Sequence, residues 1–189
     1  MAVEPEPSRP LLLDACCLIN LAATGRVEEL LRSIPTPIWV ADLVFGTEAL
    51  YLRRGGGGED AEERDRIDLT SLRDAGLLQV AGAEADAELA TFITLAMDLD
   101  NGEAVTGALA LHRGADVATD DRKAIRVLSA AGPELRIWRT SELIKDWAER
   151  LAVPQATVRE VLLNVQERAR FRPRRGDPLR EWWDNIVAS

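Results

Sequence analysis

Short apolar runs alternate with longer stretches of helical spacing, and this alternation restricts the fold more than any other feature of the chain. The runs are LLL (11–13), PIWVA (37–41), LLQVA (77–81), the apolar part of ADVATDD (115–121) and LRIWRT (135–140). Each is of strand length and bounded by turn or capping residues. Between them lie ACCLINLAATG, closed by Gly25, then RVEELLRSI, EADAELATFITLAMDLD (84–100), NGEAVTGALALHRG (101–114), RKAIRVLSAAG and SELIKDWAERL, which Ser141 starts. Strands that alternate with helices predict an α/β fold whose central sheet is mostly parallel and covered by helices on both faces. DLVFGTEALYLRR (42–54) has helical apolar spacing with Asp42 as its N-cap, GGGGEDAEERD (55–65) reads as a flexible loop, and IDLTSLRDAG as a further helix.

The 189 residues suffice for one domain with a full core and a small appendage. Residues 1–10, acidic and rich in proline, read as a tail without the pattern of a secretory signal. Residues 11–150 carry the alternating pattern, and 151–189 break it: a helix with Pro154 in its first turn, a basic proline-broken segment and a short apolar end. No apolar run is long enough to span a membrane. Cys16 and Cys17 are adjacent and make no disulfide framework, so a cytoplasmic location is expected. With His112 the only histidine, a zinc site built on several histidines is excluded. The net charge of −9 counts against nucleic-acid binding unless metals or a local basic patch offset it.

The carboxylates are the informative residues. Asp14 follows the first strand, Asp120 and Asp121 follow the strand DVAT, Glu48 lies within the stretch after the second strand, and Glu103 lies in the first turn of GEAVTGALALH. Taken singly, Asp14, Asp120 and Glu103 read as helix caps, and Glu48 as part of a solvated face. Taken together, they stand near strand ends, where open parallel sheets collect ligands. Four or five converging carboxylates repel one another unless they hold a divalent cation, and an oxygen-only set suits Mg²⁺ or Mn²⁺. Two such ions can activate water and stabilise the leaving oxygen of a phosphodiester.

Four stretches in order resemble the acidic motifs of the PIN domain family: LLLDACCLINLAATG with Asp14 and Asn20, VFGTEAL with Glu48, DNGEAVTGALAL with Glu103, and VATDDRKAIRV with Asp120 and Asp121. The resemblance covers roughly residues 11–140. It implies a three-layer α/β/α sandwich and a metal-dependent ribonuclease, in many bacterial members a VapC-type toxin restrained by an antitoxin and often a homodimer. By carry-over, Asp14, Glu48, Glu103 and Asp121 would be catalytic and metal-binding, with Asp120 a fifth acid or the ligand in place of Asp121. Thr119 would be a polar support.

Residues 168–180 carry Arg168, Arg170, Arg172, Arg174, Arg175 and Arg180 against Asp177 alone. They fit RNA phosphates, an acidic patch on the same chain or a partner, or a solvated tail. Trp182 and Trp183 side with docking, since adjacent exposed indoles are costly. Neither cysteine has an arginine at the spacing of a phosphatase loop, so both read as packing residues. Two functions follow: an RNA endonuclease with Mg²⁺ or Mn²⁺, or a catalytically inactive module of the same fold that binds RNA or a protein partner.

Overall fold

The computed structural model describes residues 9–46, 50–53 and 64–189. Its described strands are β1 (Leu11–Leu13), β2 (Ile38–Ala41), β3 (Tyr51–Arg53), β4 (Arg64–Arg66), β5 (Gln79–Ala81), β6 (Asp116–Ala118) and β7 (Ile137–Trp138). Five of them form a sheet in the order β5–β2–β1–β6–β7, and every pairing in it is parallel. The leucines of β1 occupy its centre and are at most 3% exposed. A central strand covered on both faces has no solvent side, so it is apolar throughout rather than alternating.

The connections are helical, as the α/β pattern predicts. Helices α1 (Ala15–Ala23) and α2 (Val27–Ser33) join β1 to β2. After α3 (Asp42–Gly46) and α4 (Leu69–Asp74) the chain enters β5, then α5 (Asp86–Leu95) and α6 (Asn101–Arg113) lead to β6. Helices α7 (Arg122–Ala131) and α8 (Thr140–Arg150) flank β7. Helix α6 is buried over most of its length, and Gly107 is the reason it fits. A Cβ at that position would lie 2.3 Å from Leu128 Cδ2 and 3.1 Å from Leu95 Cδ1, so glycine lets α5 and α7 approach closely. The α6 end closes on Gly114, whose φ of 62° is the left-handed C-terminal stop. Arg113 then clamps the neighbouring loop, donating from Nε and Nη2 to the Glu88 carboxylate at 2.7 and 3.0 Å and from Nη2 to the Gly82 carbonyl at 2.7 Å.

Strand order decides where a ligand can gather. The chain runs from β1 outward through β2 to β5, then returns across the sheet to β6 and β7. The reversal falls between β1 and β6, whose C-terminal ends are neighbours: Leu13 pairs with Ala118, and the Asp14 amide donates to the Ala118 carbonyl at 3.0 Å. Such a reversal opens a crevice beyond the strand ends.

Three expectations are corrected. Of the helix expected over 42–54 the described part is Asp42–Gly46, and Tyr51–Arg53 instead pairs antiparallel with Arg64–Arg66 in a separate two-stranded ribbon. Helical apolar spacing over so short a window does not exclude a strand, and pairing with a distant segment wins. Helix α5 ends at Leu95 rather than near residue 100, because Asp100 starts α6 as its N-cap. Helix α8 begins at Thr140, one residue before Ser141, whose hydroxyl instead donates to Asp177 at 3.3 Å. Glu48 and the run Gly55–Gly58 lie outside the described residues.

Beyond residue 150 come α9 (Gln155–Asn164), a π-helical turn (Val165–Ala169) and α10 (Arg180–Ala188). Trp183 is fully buried with its ring edge-on to Phe171 at 5.7 Å, and Trp182 packs half-buried beside Val158 and Ile186. The tryptophan pair therefore docks on its own chain. No helix among the described residues is long and apolar enough to cross a membrane.

Candidate functional site

Asp14 leaves β1 in extended conformation and caps α1. Its Oδ1 accepts the Ala15 amide at 2.8 Å, and its Oδ2 accepts the Thr119 hydroxyl at 2.8 Å and the Cys16 thiol at 3.1 Å. The residue is 4% exposed, and burial pushes its carboxyl above the usual aspartate range against those three hydrogen bonds. Cys16 does more than pack: its sulfur also accepts the Asp120 amide at 3.3 Å, so it ties the end of β1 to the loop after β6.

The two aspartates of that loop part company. Asp120 turns inward. Its Oδ2 accepts from Thr140 Oγ1 at 2.5 Å, Asn20 Nδ2 at 3.0 Å and Cys17 Sγ at 3.5 Å, and its Oδ1 accepts the Thr140 amide at 3.2 Å. Every partner is a donor, which is the pattern an ionised carboxylate requires. Burial raises its pKa all the same. Asp121 caps α7, with Oδ1 accepting the amides of Lys123 and Ala124 at 2.7 and 2.9 Å. That leaves its other oxygen without a hydrogen bond to the described residues.

Glu103 reaches the site from α6. It forms a capping box with Asp100: the Glu103 amide donates to Asp100 Oδ1 at 2.8 Å, and Glu103 Oε2 accepts the Asp100 amide at 3.4 Å. Burial first, and then the charges of Asp100, Asp14 and Asp121 in that order, raise Glu103 to about 7. Glu103 is thus the electrostatic neighbour of Asp100, Asp14 and Asp121 beyond the strand ends.

Asp100 is a site neighbour that reading the carboxylates by strand ends passes over; the Asp-x-x-Glu spacing with Glu103 is the signal that finds it. Thr140 has no such signal, since it meets Asp120 only through the fold.

Linkage gives the burial of Glu103 and the acids around it a measurable consequence. Below 4.5, the ordinary glutamate value, Glu103 is protonated in both folded and unfolded chains. Between there and about 7 the folded chain holds a proton the unfolded chain has released, so stability falls as pH rises through that window. In EDTA, Glu103→Gln is expected to flatten the fall and to gain on the order of 1 kcal/mol near pH 8, after discounting for solvent screening. Urea denaturation of both proteins near pH 5 and pH 8 reads this directly; equal slopes against pH would overturn it.

One tight group of ligand-type side chains occurs among the described residues: Cys16, Cys17 and Asp120, with donor atoms within 4.8 Å of one another. It suits a structural role better than a cation. Burial drives the Cys17 thiol well above its ordinary value, and both Asp120 oxygens are already occupied. The oxygen-only set of Asp14, Glu103 and Asp121 fits a hard divalent cation by donor chemistry, although these carboxylates form no group as close as the cysteine cluster among the described residues.

A family model for the PIN domain matches residues 10–175. The chain belongs to the PIN domain family. No curated protein matches it. PIN domains are usually metal-dependent nucleases and typically use a divalent metal, which agrees with an acidic crevice at the strand ends of this one.

The arginines predicted to bind RNA separate in the structure. Arg168 Nη1 donates to the Ala23 carbonyl at 3.4 Å. Arg172 and Arg180 both bind Asp184, the former through Nε and Nη2 at 3.0 and 2.8 Å, the latter through Nε at 2.6 Å. Arg170, Arg174 and Arg175 are exposed, and only the last two border a cavity next to the acidic loop.

Proposed function

We infer that this PIN domain is a metal-dependent endonuclease that hydrolyses RNA phosphodiester bonds. The observation that carries the reading is that Asp14 and Asp121 follow the paired ends of β1 and β6 and that both, with Asp100, act on Glu103 from α6. Asp14, Glu103 and Asp121 would hold Mg²⁺ or Mn²⁺, joined by Glu48 on the strength of the motif alone. Asp120 is assigned to the frame rather than to the ion, since it turns inward onto Thr140, Asn20 and Cys17, whereas Asp14 and Asp121 are among the charges that act on Glu103. When bound, a divalent cation there supplies activation of water and neutralises charge that develops on the phosphodiester. The protein's part is to hold its acids still: Thr119 and Cys16 fix Asp14, and the α7 amides fix Asp121.

A toxin role, a restraining antitoxin and a homodimer extend the reading on the support of the four motifs, and a cytoplasmic location extends it on the support of the adjacent, unpaired Cys16 and Cys17. The deciding experiment incubates the protein with bulk RNA in Mn²⁺, in Mg²⁺ and in EDTA, and maps the ends. New ends at defined positions in a divalent cation and none in EDTA are expected. Binding of RNA with no cutting in either cation would leave the inactive module standing in its place.

A further inference from the structure

A cavity of about 290 Å³ opens beside the loop that carries Asp120 and Asp121. Its charged lining consists of Asp120, Arg122, Arg139, Arg174, Arg175 and Asp177. The guanidinium groups come from three separate parts of the chain: the start of α7, the end of β7, and the segment before α10. On a protein of net charge −9 such a concentration has a cost in mutual repulsion, and it needs an explanation.

The segment is built to present its arginines. Arg174 to Asp177 form a turn closed by the Asp177 amide donating to the Arg174 carbonyl at 3.1 Å, and Gly176 takes the φ of +91° that the third position of a type II turn demands. Asp177 is 8% exposed and anchors the turn from below. It accepts Arg139 Nη1 at 3.1 Å, the Ser141 hydroxyl at 3.3 Å and the Leu179 amide at 2.8 Å. Asp177 thus holds the turn against α8 and leaves Arg174 and Arg175 at its corner. Neither they nor Arg122 has an ion pair or side-chain hydrogen bond among the described residues. Phe171 and Pro173 give the cavity an apolar wall, which suits a nucleotide better than a free inorganic anion.

We propose that this cavity is a phosphate-binding subsite for the RNA strand, in which Arg122, Arg174 and Arg175 grip a phosphate next to the one at the acidic crevice. The proposal rests on the endonuclease reading for the identity of the strand. It narrows the basic segment from a general RNA-binding tail to the turn at Arg174 and Arg175, with Arg122 added from α7. One loop, Thr119 to Arg122, then serves both sites: Asp121 faces the acids and Arg122 the strand.

The test measures binding of a fluorescent oligouridine to the full chain in EDTA, over a series of salt concentrations, by anisotropy. Arg174→Ala/Arg175→Ala is expected to weaken binding by about tenfold and to reduce the slope of log affinity against log salt by roughly 0.7 for each lost contact. Arg170→Asn, which removes an exposed arginine outside the cavity at a residue of φ 53°, should change neither. The Mn²⁺ affinity of the double variant, measured by calorimetry, should equal the parent's. In cleavage, the double variant should raise KM and spare kcat. Equal losses from Arg170→Asn and from the turn would overturn the subsite in favour of bulk charge, as would unchanged binding and salt slope in the double variant. If the parent cuts no RNA yet the turn variants lose oligouridine binding, the subsite stands and the nuclease reading falls.

Discussion

Asp14→Asn is expected to lower RNA cleavage by about three orders of magnitude or more while leaving the fold intact. The two halves of this result have different causes. Asp14 is 4% exposed, is fixed by the Ala15 amide, the Thr119 hydroxyl and the Cys16 thiol, and stands at the strand-order reversal. A neutral amide in its place offers one acceptor oxygen instead of two and no charge to draw a hard cation. The fold survives because the asparagine oxygen can still cap Ala15, and the Thr119 hydroxyl can rotate to accept from the new NH₂. Burial already holds the Asp14 carboxyl above its ordinary value, so its ionised form weakens the folded chain; removing the charge is expected to leave the melting temperature in EDTA unchanged or higher. Circular dichroism and thermal melts establish the fold, calorimetry with Mn²⁺ the loss of the ion, and end mapping the loss of cleavage. An Asp14→Asn protein that cuts at the parental rate would remove the acidic crevice as the seat of activity.

What could be read from the residues follows a physical division. The parallel sheet was legible because each of its strands lies in a short apolar run set between helical stretches, a pattern that burial on both faces writes most plainly into the central β1. The ribbon of Tyr51–Arg53 and Arg64–Arg66 was not, since its pairing depends on a partner beyond an intervening segment rather than on its own spacing. Among the acids, Asp14, Glu103 and Asp121 were visible as residues at strand ends and helix starts. The different duties of Asp120 and Asp121 were not visible. Adjacent residues on an extended stretch point opposite ways, and only the arrival of Thr140 from after β7 and Asn20 from α1 shows which way is in. The arginine segment shows the same limit. Composition marks six like residues, whereas the structure spends Arg168, Arg172 and Arg180 on internal partners and leaves Arg174 and Arg175 at a cavity.

The separation of Asp120 from Asp121 makes the second large prediction. Asp120→Ala should cost about 2–4 kcal/mol of stability, because it strips acceptors from the Thr140 hydroxyl and amide and from the Asn20 amide in a mostly buried network. Asp121→Ala should cost only about 1 kcal/mol, the ordinary value of a helix N-cap. In cation binding the order reverses. Asp121→Ala should weaken Mn²⁺ binding and cleavage steeply, whereas Asp120→Ala, kept folded by working well below its lowered midpoint, should retain most of its Mn²⁺ affinity. Urea denaturation gives the first comparison and calorimetry the second. Asp121→Asn sharpens the contrast, since the amide oxygen still caps α7 and stability is spared while the charge is lost. The opposite pattern, with Mn²⁺ affinity lost in Asp120→Ala and kept in Asp121→Asn, would assign the ion to the inner aspartate and make its hydrogen bonds to Thr140 and Asn20 the support of a ligand.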